Sequence, residues 1–169
     1  DEASNGYERC ARENTKDDKA ADALSDAVAL RLGLGQEREA IADSDLFNRS
    51  FSAHHPQQSA QIAFAIGAHY VDKEDWGEAR KRLSGAMHQI DRGATLDVQV
   101  QAHALLGRAY AKMNAGTQAQ PEYNRVRSLW RDPNAGMKKL SAASSGEDDK
   151  LRRLAKTLTA VGEAYFYFA

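Results

Sequence analysis

QIAFAIGAHYVDKEDWGEARKRLSGAMHQI, residues 61–90, decides the fold. Ile62, Ile66 and Tyr70 recur every fourth residue, with Ala63 and Gly67 one step on. That spacing marks one face of a helix and not the alternation of a strand. The pattern stops at Lys73-Glu74. Asp75, followed three residues later by Glu78, has the form of a capping box that opens a second helix. Ala79, Leu83, Ala86 and Ile90 then form the buried face of that helix. Upstream, Pro56 suits the first turn of the first helix. Two amphipathic helices joined by so short a link pack antiparallel.

The pattern returns in QAHALLGRAYAKMNAGTQAQPEYNRVRSLW, residues 101–130. Leu106, Gly107 and Tyr110 repeat Ile66, Gly67 and Tyr70, and Ala119, Tyr123 and Val126 repeat Ala79, Leu83 and Ala86. Both helices keep one offset of 40 residues. Thr95, with Asp97 and Val98 behind it, opens the first of this pair, and the break falls at Asn114-Ala115-Gly116. Thr117 and Gln120 form a second capping box, with Pro121 in the first turn or just past it. A weaker copy lies upstream. Leu24, Ala27 and Val28 precede Leu32-Gly33-Leu34-Gly35, read as a helix stop, and then Glu39-Ala40-Ile41, where Ala40 stands 39 residues before Ala79. A partial copy at the end carries Leu158, Val161, Gly162 and Tyr165. The expected organisation is a tail or the end of a preceding unit at 1–16, a weak unit at 17–50 and two strong units at 56–92 and 95–131. A loop at 132–147 follows, with one helical turn near Met137 to Leu140, and then the first helix of an incomplete unit at 148–169. Residues 2–13, with Tyr7 and Cys10, are read as the last helix of that preceding unit.

Composition agrees. The 169 residues hold 30 Ala but only 15 Val, Ile and Thr together, and three Pro. Ala favours helices and β-branched residues favour strands, so the chain is expected to be nearly all-α. A formal charge of −1 with 28% charged and 42% apolar residues excludes wholesale disorder. The single cysteine excludes an internal disulfide. The longest weakly polar stretch, Ala60 to Val71, is too short to span a bilayer. No targeting segment is readable. The start at Asp1 and the abrupt aromatic end read as a piece cut from a longer protein.

The order of a large residue, Leu-Gly or Ile-Gly, Tyr, a break, Ala, an aromatic or Leu and a small residue resembles the tetratricopeptide repeat (TPR) family. The resemblance runs from about residue 20 to 169, in a long-period variant of about 39–40 residues. The family's usual tryptophan slot holds Leu24, Ala63, His103 and Leu158 here. The resemblance implies an α-solenoid, a right-handed superhelix of stacked antiparallel hairpins, in which Gly67, Gly107 and Gly162 allow close helix approach and Tyr70, Tyr110 and Tyr165 fill the space beside them. It also implies a non-catalytic interaction scaffold whose first helices line a concave groove for a peptide or helix. The lining residues it implies are Gln61, Phe64, Ala68 and Asp72, then Gln101, Ala104, Arg108 and Lys112, then Lys156, Thr159, Glu163 and Phe166. Arg108 and Lys112 are expected to meet an acidic group of the ligand. Some TPR domains grip a C-terminal carboxylate. The corresponding places here hold Ser25, Ala29, Ala65, Lys156 and Ala160, and only one of these is basic, which argues against that ligand.

Other chemistries are weaker. His54, His55, His69, His88 and His103 do not have metal-ligand spacing, so a metal-binding bundle or enzyme built on them is an alternative, and no cofactor is expected. No phosphate loop, nucleophile elbow or paired-carboxylate motif is present. Residues 1–45 hold 6 Lys or Arg against 12 Asp or Glu, and residues 124–156 hold 9 against 4. Arg125, Arg127, Arg131, Arg152 and Arg153 around Trp130 make nucleic acid a second alternative, against which the overall acidity counts. Tyr165, Phe166, Tyr167 and Phe168 are expected to pack on something, including a second copy of the chain.

Overall fold

The computed structural model describes residues 18–169; the helix expected at 2–13 lies outside the described residues. Among the described residues the chain is all-helical, with eight helices and no strand. They are α1 (Asp18–Gly33), α2 (Glu37–Ser50), α3 (Pro56–Asp72), α4 (Trp76–Gly93), α5 (Leu96–Lys112), α6 (Gly116–Leu129), α7 (Pro133–Ala142) and α8 (Glu147–Phe166). No described helix is long and apolar enough to cross a membrane.

Three turns close alike. Gly35, Glu74 and Asn114 adopt the left-handed conformation, with φ of 72°, 57° and 58°. In each turn the next residue's N–H reaches back to the preceding helix: Gln36 to the Arg31 carbonyl at 2.8 Å, Asp75 to Tyr70 at 2.9 Å and Ala115 to Tyr110 at 2.9 Å. This closure satisfies carbonyls that the helix end would otherwise leave unpaired. Glu74 follows Gly35 by 39 residues and Asn114 follows Glu74 by 40. Burial keeps the same step. Ala21, Ala60 and Val100 are buried in the first helices, and Ala40, Ala79 and Ala119 in the second. Phe51, Ile90 and Trp130, at the ends of the second helices, are buried as well. Turns of so few residues hold α1–α2, α3–α4 and α5–α6 as antiparallel pairs.

Small residues set how closely the pairs approach. A Cβ on Gly67 would stand 2.4 Å from Leu83 Cδ2, and one on Gly107 would stand 3.1 Å from the Tyr123 ring. Gly93, at the end of α4, meets the Pro56 carbonyl so closely that a Cβ would fall 2.7 Å from its oxygen. Gly162 departs from expectation: nothing lies within 4 Å of its Cβ position, so it permits no close approach. Tyr165, 53% exposed, fills no interior space either. Two carbon clusters result. One joins α1–α4 to the Leu106 and Ala109 side of α5 through Leu24, Phe47, Phe51, Ile66 and Leu83, and the other joins the Val100 and Ala104 side of α5 to α6–α8 through Tyr123, Val126, Trp130, Leu140 and Ala160. Ile90, Val98 and Ala102 form a smaller cluster where α4 meets α5.

Polar pairs fix the helix ends. Arg31 and Asp43 form a buried ion pair at 2.6 Å between α1 and α2. Glu37, in the first turn of α2, accepts from Lys73 at 2.5 Å and bonds His69 at 3.1 Å at the end of α3. Those bonds, the Lys73 one foremost, hold the Glu37 carboxyl down to about 2. Asp75 caps α4 by accepting from the Glu78 N–H at 3.1 Å. The second expected box does not form. α6 begins at Gly116 with Ala115 as its cap, because the Asn114 turn starts the helix before Thr117, and Pro121 therefore lies inside it. The loop expected at 132–147 contains a ten-residue helix instead. Asp132 accepts from the N–H groups of Asn134 and Ala135, Pro133 sits in the first turn, and Gly136 lies against the Trp130 ring with Leu140 buried behind it.

Gly107→Leu is expected to lose about 1–3 kcal/mol of stability in urea unfolding, because the Tyr123 ring occupies the space the new side chain needs. Gly162→Ala is expected to hold or gain up to about 1 kcal/mol from helix propensity alone. Equal losses at both positions would show that close approach does not govern the packing.

Candidate functional site

α5 lies between α3 and α8 and touches both. Their side chains enclose a cleft of about 260 Å³. Phe64, Ala68 and Asp72 come from α3 at four-residue steps, the spacing that keeps one helix face. Gln101, Ala104, Leu105 and Arg108 come from α5, and Lys156, Thr159 and Ala160 from α8. Eight of the twelve groove residues expected from the sequence therefore meet in one place. Ala104 and Ala160 are buried at its floor, and Phe64 forms a half-buried wall.

The other four are elsewhere. Gln61 lines a polar depression of about 280 Å³ beside the cleft, shared with Gln101 and Lys156. Lys112 lies over the Trp76 ring at 5.9 Å. Glu163 is turned inward onto Arg108. Phe166 stands 82% exposed at the end of α8. The aromatic end, expected to pack on something, lies partly against the chain itself. Tyr167 stacks on Tyr123 with ring centroids 4.5 Å apart, and Arg127 lies 5.0 Å from the Tyr165 ring and 5.1 Å from the Phe168 ring.

Arg108, expected to meet an acidic group of a ligand, is paired with a carboxylate of the chain itself. Its Nε donates to Glu163 Oε1 at 2.9 Å and its Nη2 donates to Oε2 of the same carboxylate. Tyr123 Oη also donates to Glu163 Oε1, at 2.8 Å. Burial pushes the Tyr123 phenol up, and the bond to Glu163 adds to it, so the phenol stays protonated. Lys156 forms no ion pair among the described residues and is the unneutralised cation on the cleft wall.

Two further pairs were not visible from the sequence, since each joins residues far apart in the chain. Arg153 Nε donates to Asp97 Oδ2 and its Nη2 to Oδ1, both at 2.9 Å, and Nη2 also reaches Thr95 Oγ1 at 3.1 Å. That fork fixes α8 to the start of α5, and Asp97 is buried. His103, 5% exposed, bonds Glu122 through Nδ1 at 2.6 Å and Asp91 through Nε2 at 3.0 Å. Burial opposes its charged form, but the bonds to Glu122 and Asp91 outweigh that and raise the imidazole above its ordinary value.

Several residues of the alternative readings are engaged within the chain. His55 faces Asp18 at 3.4 Å and His69 faces Glu37. Among the described residues no group of three or more His, Cys, Asp or Glu is placed to hold a metal ion. In the basic stretch 124–156, Arg152 pairs with Asp149, Lys150 with Glu147 and Arg153 with Asp97, and Arg127 lies on aromatic rings. No protein-family model matches the sequence, and neither a curated protein nor a solved structure matches it.

Asp97→Ala leaves the Arg153 guanidinium without its fork and is expected to cost about 2–4 kcal/mol in urea unfolding, less than a fully buried pair because Arg153 is partly exposed. A loss under about 0.5 kcal/mol would place the pair among ordinary surface bridges. His103 makes a pH-dependent contribution. Its folded pKa is raised, so the stabilisation is fully present below the unfolded value of 6.5 and is lost as pH rises through the folded value. The stability difference between wild type and His103→Gln is expected to fall between pH 6 and pH 9; a constant difference would remove the charged imidazole from the account.

Proposed function

We propose that the chain is a non-catalytic binding scaffold, an α-solenoid of TPR-like hairpins that holds a peptide or helix of a protein partner in the cleft between α3, α5 and α8. The repeated closing turns at Gly35, Glu74 and Asn114, and the burial that keeps their step, support stacked units. The observation that carries the binding reading is the cleft itself. Three successive first helices contribute an apolar floor from Ala104, Leu105 and Ala160, one aromatic wall from Phe64, and an unpaired cation, Lys156. At about 260 Å³ the cleft lies below the usual size of small-molecule pockets, roughly 300 Å³ and above, which favours a side-chain anchor over a cofactor. The anchor is an apolar side chain of the ligand, with a carboxylate beside it for Lys156.

A photo-crosslinking residue placed at Thr159, which is exposed on the cleft wall, is expected to label a partner more strongly than one placed at the exposed Ser84 of α4. Adding Ala68→Trp, which fills the cleft, is expected to abolish the labelling from Thr159. Labelling of equal strength at both positions, unaffected by Ala68→Trp, would overturn the cleft as the site.

A further inference from the structure

A second depression lies on the other side of α3, between α2 and α4. The side chains of the two helices leave a gap between them. Hollows of about 550 and 300 Å³ occupy it and share Asn48 and Gln89, which makes them one furrow. Its α3 side is formed by Ser59, Ala63 and Ile66. At about 100° per residue these point roughly 180° away from Phe64, Ala68 and Asp72, which line the cleft. The furrow is therefore separate from the site already described.

The interval one unit on is closed. Forty residues after Ala63, Arg82 and Gly85 stand His103, Glu122 and Arg125. There the His103 ring bridges Glu122 and Asp91, and Arg125 Nη2 comes to 4.0 Å from Asp91. In the α2–α4 interval the same places hold a methyl group, an arginine turned to Glu78 at 3.1 Å and a glycine with open space at its Cβ position. The gap is thus a property of this interval's residues and not of the repeat.

The middle of the furrow is polar. Ser59 is 1% exposed; its Oγ donates to Asn48 Oδ1 and accepts from Gln89 Nε2, which also reaches Asn48 Oδ1 at 3.4 Å. These bonds fix both amides and leave Asn48 Nδ2, a donor, and Gln89 Oε1, an acceptor, without a partner among the described residues. A peptide group has the complementary pair, a carbonyl and an N–H. Ala63, Ile66 and Ala86 beside it offer room for an apolar side chain. Around the rim Lys81 and Arg82 share the one carboxylate of Glu78, and with Arg92 they leave one positive charge in excess over Glu78 and Asp45. Lys81 to Arg92 spans about 17 Å of helix, the length of about five extended residues. We propose that this furrow binds an extended, acidic polypeptide segment whose backbone is read by Asn48 and Gln89.

The probe is a phage-displayed hexapeptide library selected on the wild-type chain, with the recovered peptides synthesised and titrated calorimetrically. Gly85→Arg copies the residue that stands in the closed interval and enters open space, so the fold is retained and only the furrow is filled. Acidic hexapeptides with a central apolar residue are expected, bound at least about tenfold more weakly by Gly85→Arg and by Gln89→Glu, which places a negative charge on the furrow, and undiminished by Ala68→Trp in the cleft. Melting temperatures of the two furrow variants, unchanged within a few degrees, separate lost binding from lost folding. Recovery of no hexapeptide, or of peptides that Gly85→Arg binds as tightly as wild type, would overturn the proposal.

Discussion

Leu83 rests on Gly67 at a distance that leaves no room for a Cβ, and the Tyr123 ring rests on Gly107 so closely that a Cβ would press on it at 3.1 Å. Much else follows from those two crossings. They set how near the paired helices lie, and that separation brings Ala79 and Ala119 into full burial. With the pairs fixed, α3, α5 and α8 present their remaining faces together, and the cleft is what those faces leave unfilled. Packing of this kind tolerates little change in volume, since a methylene too many must displace backbone or force a side chain from its rotamer.

Charge is used mainly to hold the ends of helices. Arg153 with Asp97, Arg108 with Glu163, and His103 with Asp91 and Glu122 each join helices whose apolar faces are already in contact. A partly buried ion pair is a weak source of net stability but an effective constraint on register, because removing either partner leaves a charge uncompensated. Of the basic run near the C-terminus, Arg153 is used in this way, while Lys150 and Arg152 pair with Glu147 and Asp149 of their own helix.

The helical pairs were legible because each repeats its buried face over two helices at one offset, and neither strand alternation nor a loop mimics that. α7 was not legible. PNAGMKKLSA buries only Gly136 and Leu140, too few positions to show a period, and its docking depends on the Trp130 ring six residues before that glycine. Gly162 misled for the opposite reason: it stands in sequence where Gly67 and Gly107 stand, but among the described residues nothing lies within 4 Å of its Cβ position. In the cleft, most lining residues followed from the resemblance to tetratricopeptide repeats, while the state of Arg108 did not, since Glu163 lies 55 residues away. The α2–α4 furrow was illegible too, because it arises from what Ala63 and Gly85 lack.

Among the described residues no helix touches one more than three places away in the chain. Little loop-closure entropy opposes such a fold, and chains with mostly local contacts fold quickly. Nothing then obliges the two carbon clusters to unfold together. Trp76 packs on the first cluster and lies under the Lys112 ammonium, while Trp130 is buried in the second. The molecule thus carries one tryptophan against each cluster, and tryptophan emission during unfolding distinguishes a single cooperative transition from two.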